Sequence, residues 1–268
     1  MKEFILKLGR EAGEIALSYL GKAKVSDKGP KDVVTEADIA VEKFIINTIK
    51  EKFPDHNFVA EESTNENHES KFRWHIDPID GTHNYAHGDP NFVVSIALEE
   101  NGKLKYACIN FPCLKEIYYA KKGHGAELNG EKVFVSKISS PENAMIQLGI
   151  SPLKESIDDS LKIFRFFTLK YLKARDYGFT AGQLALLASG KADGLLKFSQ
   201  HPWDVAAGIL LVEEAGGKVT DLHGNKIKLG DKSARHNLVA SNGLLHNQLL
   251  SELDNDQLRN IDKNKNWY

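Results

Sequence analysis

Phe4, Ile5, Leu8, Ala12, Ile15, Ala16 and Tyr19 recur three and four residues apart, and Gly21 follows the last of them. That period lays the apolar positions along one helix face, and a glycine just beyond suits the backbone that ends a helix, so the chain is predicted to open with one. Val41, Phe44, Ile45, Thr48 and Ile49 repeat the pattern between Thr35-Glu36-Ala37-Asp38 and Pro54, which predicts a second helix. From Asn57 the period shortens to two. Strands are predicted at Phe58 to Ala60, Arg73 to Ile76, Phe92 to Leu98, Leu104 to Asn110, Glu116 to Ala120 and Lys132 to Val135, with tight hairpin turns at Asn101-Gly102 and Asn129-Gly130.

Beyond about Ala144 strands and helices alternate. Strands are expected near Met145 to Gly149, Tyr171 to Arg175, Gly194 to Phe198, Lys218 to Asp221 and Leu238 to Ala240. Helices are expected near Ile157 to Phe167, Thr180 to Ser189, Pro202 to Ala215 and Leu244 to Leu253, and the polar remainder, Asp254 to Tyr268, is expected to fray. No internal repeat or low-complexity block interrupts this order. Mixed sheets flanked by helices in two successive halves point to a layered α/β architecture: residues 1–140, residues 141–253, and the tail 254–268.

With 268 residues the chain can bury a substantial core, which excludes a small stapled scaffold. Its 35 Lys and Arg against 37 Asp and Glu leave a net charge of −2, no field that would draw the whole molecule onto nucleic acid or anionic lipid, so a small partner is expected. The longest apolar run, around Val205 to Val212, is far too short to span a bilayer. Met1-Lys2-Glu3 opens an amphipathic stretch rather than a signal peptide, and a cytoplasmic location is expected. Cys108 and Cys113 have no second pair to complete a zinc site and are expected as reduced thiols.

Chemistry concentrates in Asp77-Pro78-Ile79-Asp80-Gly81-Thr82. A chain that leaves a strand and turns at Pro78 can present Asp77 and Asp80 to one point, and a helical turn starting at Gly81 would offer backbone N–H groups to a phosphate. Clustered carboxylates need a cation, and hard oxygen donors favour Mg²⁺, Mn²⁺ or Ca²⁺ over zinc, with Mg²⁺ the default. Taken alone, each acidic segment also has a plain explanation. Asp-Pro and Asp-Gly are ordinary turn dipeptides, Asp204 suits the first turn of a helix, and Asp38 completes a capping box with Thr35.

Together, Asp77-Pro-Ile-Asp80-Gly-Thr82, Glu61-Glu62-Ser63, Asp32-Val-Val-Thr-Glu-Ala-Asp38, Trp203-Asp204-Val-Ala-Ala-Gly and Glu214-Ala-Gly-Gly217 resemble the inositol monophosphatase family, in order, over roughly residues 1 to 250. The resemblance implies the α-β-α-β-α sandwich shared with fructose-1,6-bisphosphatase and a Mg²⁺-dependent, lithium-sensitive, dimeric phosphatase. It implies that Glu61, Asp77, the carbonyl of Ile79, Asp80 and Asp204 hold about two or three Mg²⁺ ions, with Mn²⁺ as a substitute. Most of these ligands fall in the first half of the chain, and Asp204 in the second. Asp38, Thr82 and Glu61 become the catalytic residues, Asp38 and Thr82 by positioning and deprotonating the attacking water. Asp80, Gly81, Thr82, Gly178, Thr180, Lys197 and Asp204 become the substrate-facing set, with the Gly81 and Thr82 amides on phosphate, and Lys28 resembles a basic residue on the loop before the second helix.

A phosphate dianion repels hydroxide, so cations must neutralise it. Direct in-line attack by water is expected, since no Cys, His or Asp stands where the resemblance marks a nucleophile. His83 and His87 have zinc-pair spacing, but no Glu follows His83. Asp80-Gly-Thr82-His-Asn84-Tyr85 resembles the inositol-phosphatase form of the motif and favours inositol-1-phosphate.

Two departures keep fructose-1,6-bisphosphate and histidinol phosphate as alternatives. Lys197 stands seven residues before Asp204, where inositol-hydrolysing members usually have an acid. A cation cannot accept hydrogen bonds from ring hydroxyls but suits a second phosphate or a carboxylate, unless it is a solvent-facing strand residue. Phe179 intervenes between Gly178 and Thr180, as pocket wall or as core. A rival of another class is a regulatory module with a structural cation site that contacts RNA or a protein; near-neutral charge and a basic run no longer than Lys121-Lys122 speak against nucleic acid.

Overall fold

The computed structural model describes residues 1–29, 32–63, 69–150, 156–255 and 258, so most of the tail expected to fray lies outside the described residues, as does the Lys28 side chain. The first helix, α1 (Lys2–Tyr19), buries Ile5, Leu8, Ala12 and Ala16, as the apolar period requires. A short antiparallel hairpin, β1 (Val25–Gly29) and β2 (Asp32–Thr35), which the period of two did not reveal, leads into α2 (Glu36–Lys52). Thr35 caps α2: its side chain accepts from the Ala37 N–H, while the Asp38 carboxylate accepts from the Thr35 N–H at 2.8 Å.

Seven strands form the first sheet, in chain order: β3 (Asn57–Ala60), β4 (Phe72–Asp80), β5 (Val93–Glu100), β6 (Lys103–Phe111), β7 (Glu116–Lys121), β8 (Ala126–Leu128) and β9 (Glu131–Val133). Only β3 and β4 pair in parallel, which puts the ends of both at one edge of the sheet. Positive φ at Asn101 and Gly102, and at Asn129 and Gly130, gives the hairpin geometry those dipeptides announce.

One expectation is corrected here. The chain does not turn at Pro78: β4 runs on to Asp80, with its pairing to β5 shifted between Asp77 and Asp80. Proline has no N–H to lose from the ladder, so an irregularity absorbs it without breaking the strand. The turn comes instead at Gly81 (φ +98°), which leads into the short α3 (Thr82–Ala86).

The second sheet has the order β11-β10-β12-β14-β13, from β10 (Met145–Leu148), β11 (Lys173–Arg175), β12 (Gly194–Gln200), β13 (Lys218–Thr220) and β14 (His236–Ser241). Its helices are α4 (Ile157–Lys170), α5 (Thr180–Ala188), α6 (Pro202–Glu214) and α7 (His246–Glu252). Period-two alternation divides each sheet between two cores. In β5, Val94, Ile96 and Leu98 pack with α1 and α2, while Val93 and Ala97 pack with α5 and α6. In β12, Leu195 joins the α5–α6 core and Leu196 and Phe198 pack with α4 and α7. Three cores between five layers make the α-β-α-β-α sandwich that the resemblance implies. Helices α5 and α6 lie between the two sheets and are apolar on nearly every side for that reason.

Candidate active site

The ends of β3 and β4 meet the N-termini of α2, α5 and α6. Each helix start brings backbone N–H groups and the positive end of a dipole, which is what allows several acids to be packed near one another. Asp80, 8 % exposed, accepts from the N–H groups of Thr180 (2.9 Å) and Gly182 (3.1 Å) in the first turn of α5. Asp204, in the first turn of α6, accepts from the His201 N–H at 2.7 Å and keeps part of its surface open. Asp77, 2 % exposed, accepts from the Ile79 N–H at 3.1 Å.

Asp38 is fully buried. One of its oxygens accepts from both the N–H and the hydroxyl of Thr35, at 2.8 and 2.6 Å. The other lies 3.4 Å from the Thr82 hydroxyl, which also reaches the Ile79 carbonyl at 3.0 Å. Glu61, directly after β3, is part-exposed.

These acids repel one another. Burial first, and then Glu61, Asp80, Asp204 and Asp38, push the Asp77 carboxyl well above the ordinary carboxylate range. Burial, Asp80 and Glu61 raise Asp204 likewise, against the opposing pull of the His201 amide and Arg235. Asp80 is raised by burial while the α5 amides and Lys197 hold it down. Among the described residues, no three His, Cys, Asp or Glu side chains are drawn into a closed cation cage. The acids lie within electrostatic reach of one another. Hard carboxylate oxygens with raised proton affinity fit a divalent cation of the Mg²⁺ class, which would relieve the repulsion that burial intensifies.

The substrate-facing candidates divide. Gly81 must be glycine: beyond its positive φ, a Cβ would lie 2.9 Å from the Asn91 carbonyl oxygen. Thr180 is buried and its hydroxyl donates to Gln200, while Gly178 is exposed and donates its N–H to Asp176. Phe179 is core, edge-on to Phe111 and Tyr177 and pressed against Gly182. Lys197 is not a solvent-facing strand residue. It is 5 % exposed and shares its strand face with Leu195, on the side where α5 and Asp80 lie, with its ammonium 3.6 Å from Asp176.

His83 and His87 are exposed, linked through the His83 carbonyl at 2.8 Å, and Cys108 and Cys113 are free thiols. No helix among the described residues is long and apolar enough to cross a membrane.

Asn84, which stands in the Asp80-Gly-Thr82-His-Asn84-Tyr85 motif, joins two loops by donating to the carbonyls of Asn91 and Tyr177. Two further contributors escape the sequence pattern. Arg235 lowers Asp204 from a distant loop. Glu42 accepts from the Glu62 N–H and the Ser63 hydroxyl. Only Glu42 leaves a local signal: it lies four residues after Asp38 on the apolar stripe of α2, where an acid needs a buried partner.

The model of the inositol monophosphatase family matches residues 1–258. A Thermotoga maritima protein named fructose-1,6-bisphosphatase/inositol-1-monophosphatase is 36 % identical over 250 residues, covering 92 % of this chain and 93 % of its own. The Nus factor SuhB of Pseudomonas aeruginosa is 36 % identical over 235 residues, covering 84 % and 86 %. The solved extragenic suppressor protein suhB of Bartonella henselae superposes with a TM-score of 0.90 at 34 % identity, covering 95 % and 98 %. On this match, on its fold and on its convergent acids, the chain belongs to the inositol monophosphatase family of phosphoric monoester hydrolases.

Proposed function

We propose that the protein hydrolyses a small phosphate monoester, inositol-1-phosphate first among candidates, in a Mg²⁺-dependent reaction with direct attack by water. The observation that carries this reading is that Asp80 on the first turn of α5, Asp204 in the first turn of α6 and Asp38 facing Thr82 lie, with Glu61, within electrostatic reach of the buried Asp77. Glu61, Asp77, the Ile79 carbonyl, Asp80 and Asp204 would hold the cations, about two or three in number, with Mn²⁺ as a substitute. Such ions, when bound, neutralise phosphate oxygens, acidify water and stabilise the departing alkoxide.

The chain's own groups do the rest. Asp38 has one oxygen committed to Thr35 and the other toward Thr82, so its orientation is fixed. A Thr82 hydroxyl that turns its single hydrogen from the Ile79 carbonyl (3.0 Å) to Asp38 (3.4 Å) leaves its oxygen to accept from and orient the attacking water, and passes the released proton to Asp38. The amides of Gly81 and Thr82, at the start of a helical turn, suit a phosphate oxygen. The α5 amides keep Asp80 aligned.

Lys197 favours a second reading, a substrate with a second anionic group such as fructose-1,6-bisphosphate. Its ammonium is buried toward Asp80, and its nearest acid, at 3.6 Å, is beyond hydrogen-bond length and already accepts from the Gly178 N–H. Phosphate release from inositol-1-phosphate, fructose-1,6-bisphosphate and histidinol phosphate, ranked by kcat/KM with and without EDTA, separates these substrates. The P. aeruginosa relative's name raises a regulatory role; binding of RNA or a protein that survives Asp204→Asn would support it. Undiminished turnover in a folded Asp204→Asn variant would refute the phosphatase assignment of these residues.

A further inference from the structure

Residues 61–63 carry Glu61 out of β3 without regular secondary structure, so their backbone polar groups need partners from elsewhere. Two charged side chains from distant elements supply them. The Lys232 ammonium, on the loop before β14, donates to the carbonyls of Ala60 (2.9 Å), Glu61 (2.7 Å) and Ser63 (2.9 Å). Its three donors are matched to three convergent acceptors. From the opposite side the buried Glu42 carboxylate of α2 accepts from the Glu62 N–H at 2.8 Å and from the Ser63 hydroxyl. The same ammonium lies 5.3 Å from the ring centroid of Trp203, the neighbour of Asp204.

We propose that Lys232 and Glu42 form a clamp that positions Glu61 relative to Asp204 and thereby sets the affinity of the site for its divalent cation. Lys232 and Glu42 are positioning residues: both hold the Glu61 segment through main-chain groups and the Ser63 hydroxyl. The clamp rests on the reading of Glu61 and Asp204 as cation ligands.

Electrostatics and positioning have opposite signs here, which makes the clamp testable. Removing a positive charge beside a cation site by itself tightens cation binding, because one repulsion disappears. Loosening the backbone that carries a ligand weakens it, on the order of tenfold for groups standing behind a ligand. The experiment titrates the full chain with Mn²⁺ alone, follows free Mn²⁺ by electron paramagnetic resonance, and records the Mg²⁺ half-saturation of phosphate release beside it.

Lys232→Met is expected to raise the Mn²⁺ dissociation constant about tenfold, with kcat at saturating Mg²⁺ within about threefold of the parent. Lys232→Arg, which keeps the charge and several donors, is expected to recover most of the loss. Should Lys232→Met fail to fold, Ser63→Ala tests the Glu42 side of the clamp with a two- to threefold weakening, on the order of one lost hydrogen bond. Unchanged or tighter Mn²⁺ binding in Lys232→Met, or in Ser63→Ala where that variant stands in, overturns the clamp. Glu61→Gln separates the two ideas. If it weakens Mn²⁺ binding while Lys232→Met does not, the clamp alone is wrong; if Glu61→Gln leaves binding unchanged, the ligand role of Glu61 and the clamp fail together.

Discussion

A half-buried carboxylate beside other carboxylates is held at a cost, and at the residue scale Asp204 shows what that cost implies. Its ordinary value is 3.8, and the fold raises it well above that. Between the two values the folded protein keeps a proton that the unfolded chain has lost. Stability from this group is therefore full below the unfolded value and is lost as pH rises through the folded one. Asp204→Asn keeps an acceptor for the His201 N–H and removes the charge. In EDTA at neutral pH it is expected to melt at a higher temperature than the parent, and the difference should close as pH falls toward about 4, which thermal unfolding across pH measures. The same substitution should lower phosphate release by more than about a hundredfold, beyond the loss expected from a group behind a ligand.

Lys197 makes the second prediction at this scale. If its ammonium meets a second substrate anion, Lys197→Met should lower kcat/KM for fructose-1,6-bisphosphate relative to inositol-1-phosphate by about tenfold, or about 1.4 kcal/mol. Lys197→Glu should move the ratio further the same way, since an acid can accept from ring hydroxyls. Its identity was legible in the sequence and its burial was not: Lys197 is buried because α5 and α6 cover that strand face, and no local period reports a covering layer.

Among the elements, the pair α5 and α6 decides the site. Asp80 and Asp204 lie 124 positions apart along the chain, and they meet because α5 docks its first turn on Asp80 while α6 packs against α5. Gly208 permits that approach: a Cβ there would stand 2.3 Å from Leu184 Cδ1 and 2.4 Å from its Cβ. Gly208→Ala is expected to lose about 1–3 kcal/mol in urea unfolding through overpacking, with activity falling as the helix N-termini separate. Helix and strand types followed from period, capping and turn residues, as at Thr35 and Asn101-Gly102. The extension of β4 past Pro78 did not, because proline announces a turn locally and only the partner strand β5 shows that the ladder tolerates it.

For the whole molecule, two sets of titrating groups pull in opposite directions. Burial lowers His201 and His246 to about 4, so their share of stability is present above 6.5 and is lost as pH falls through about 4. The raised acids lose theirs as pH climbs from 3.8. Metal-free protein is therefore expected to be most stable between these limits. Mg²⁺, by neutralising the acids, should stabilise it increasingly toward neutral pH, by about 2.7 kcal/mol at a hundred times its dissociation constant. Differential scanning calorimetry with Mg²⁺ and with EDTA at several pH values checks this; a Mg²⁺ effect independent of pH would contradict it.

The amino-acid sequence by itself determined the order and type of most elements, the acids, and their correspondence to one family, because helix period, capping chemistry and motif spacing are properties of neighbours along a chain. The tertiary structure decided which side chains face one another. It put Phe179 in the core and Lys197 inside, and it brought Lys232 from 171 positions away onto the carbonyl of Glu61. Burial and electrostatic repulsion depend on distance in space, and the chain acquires those distances only when its five layers close on three cores.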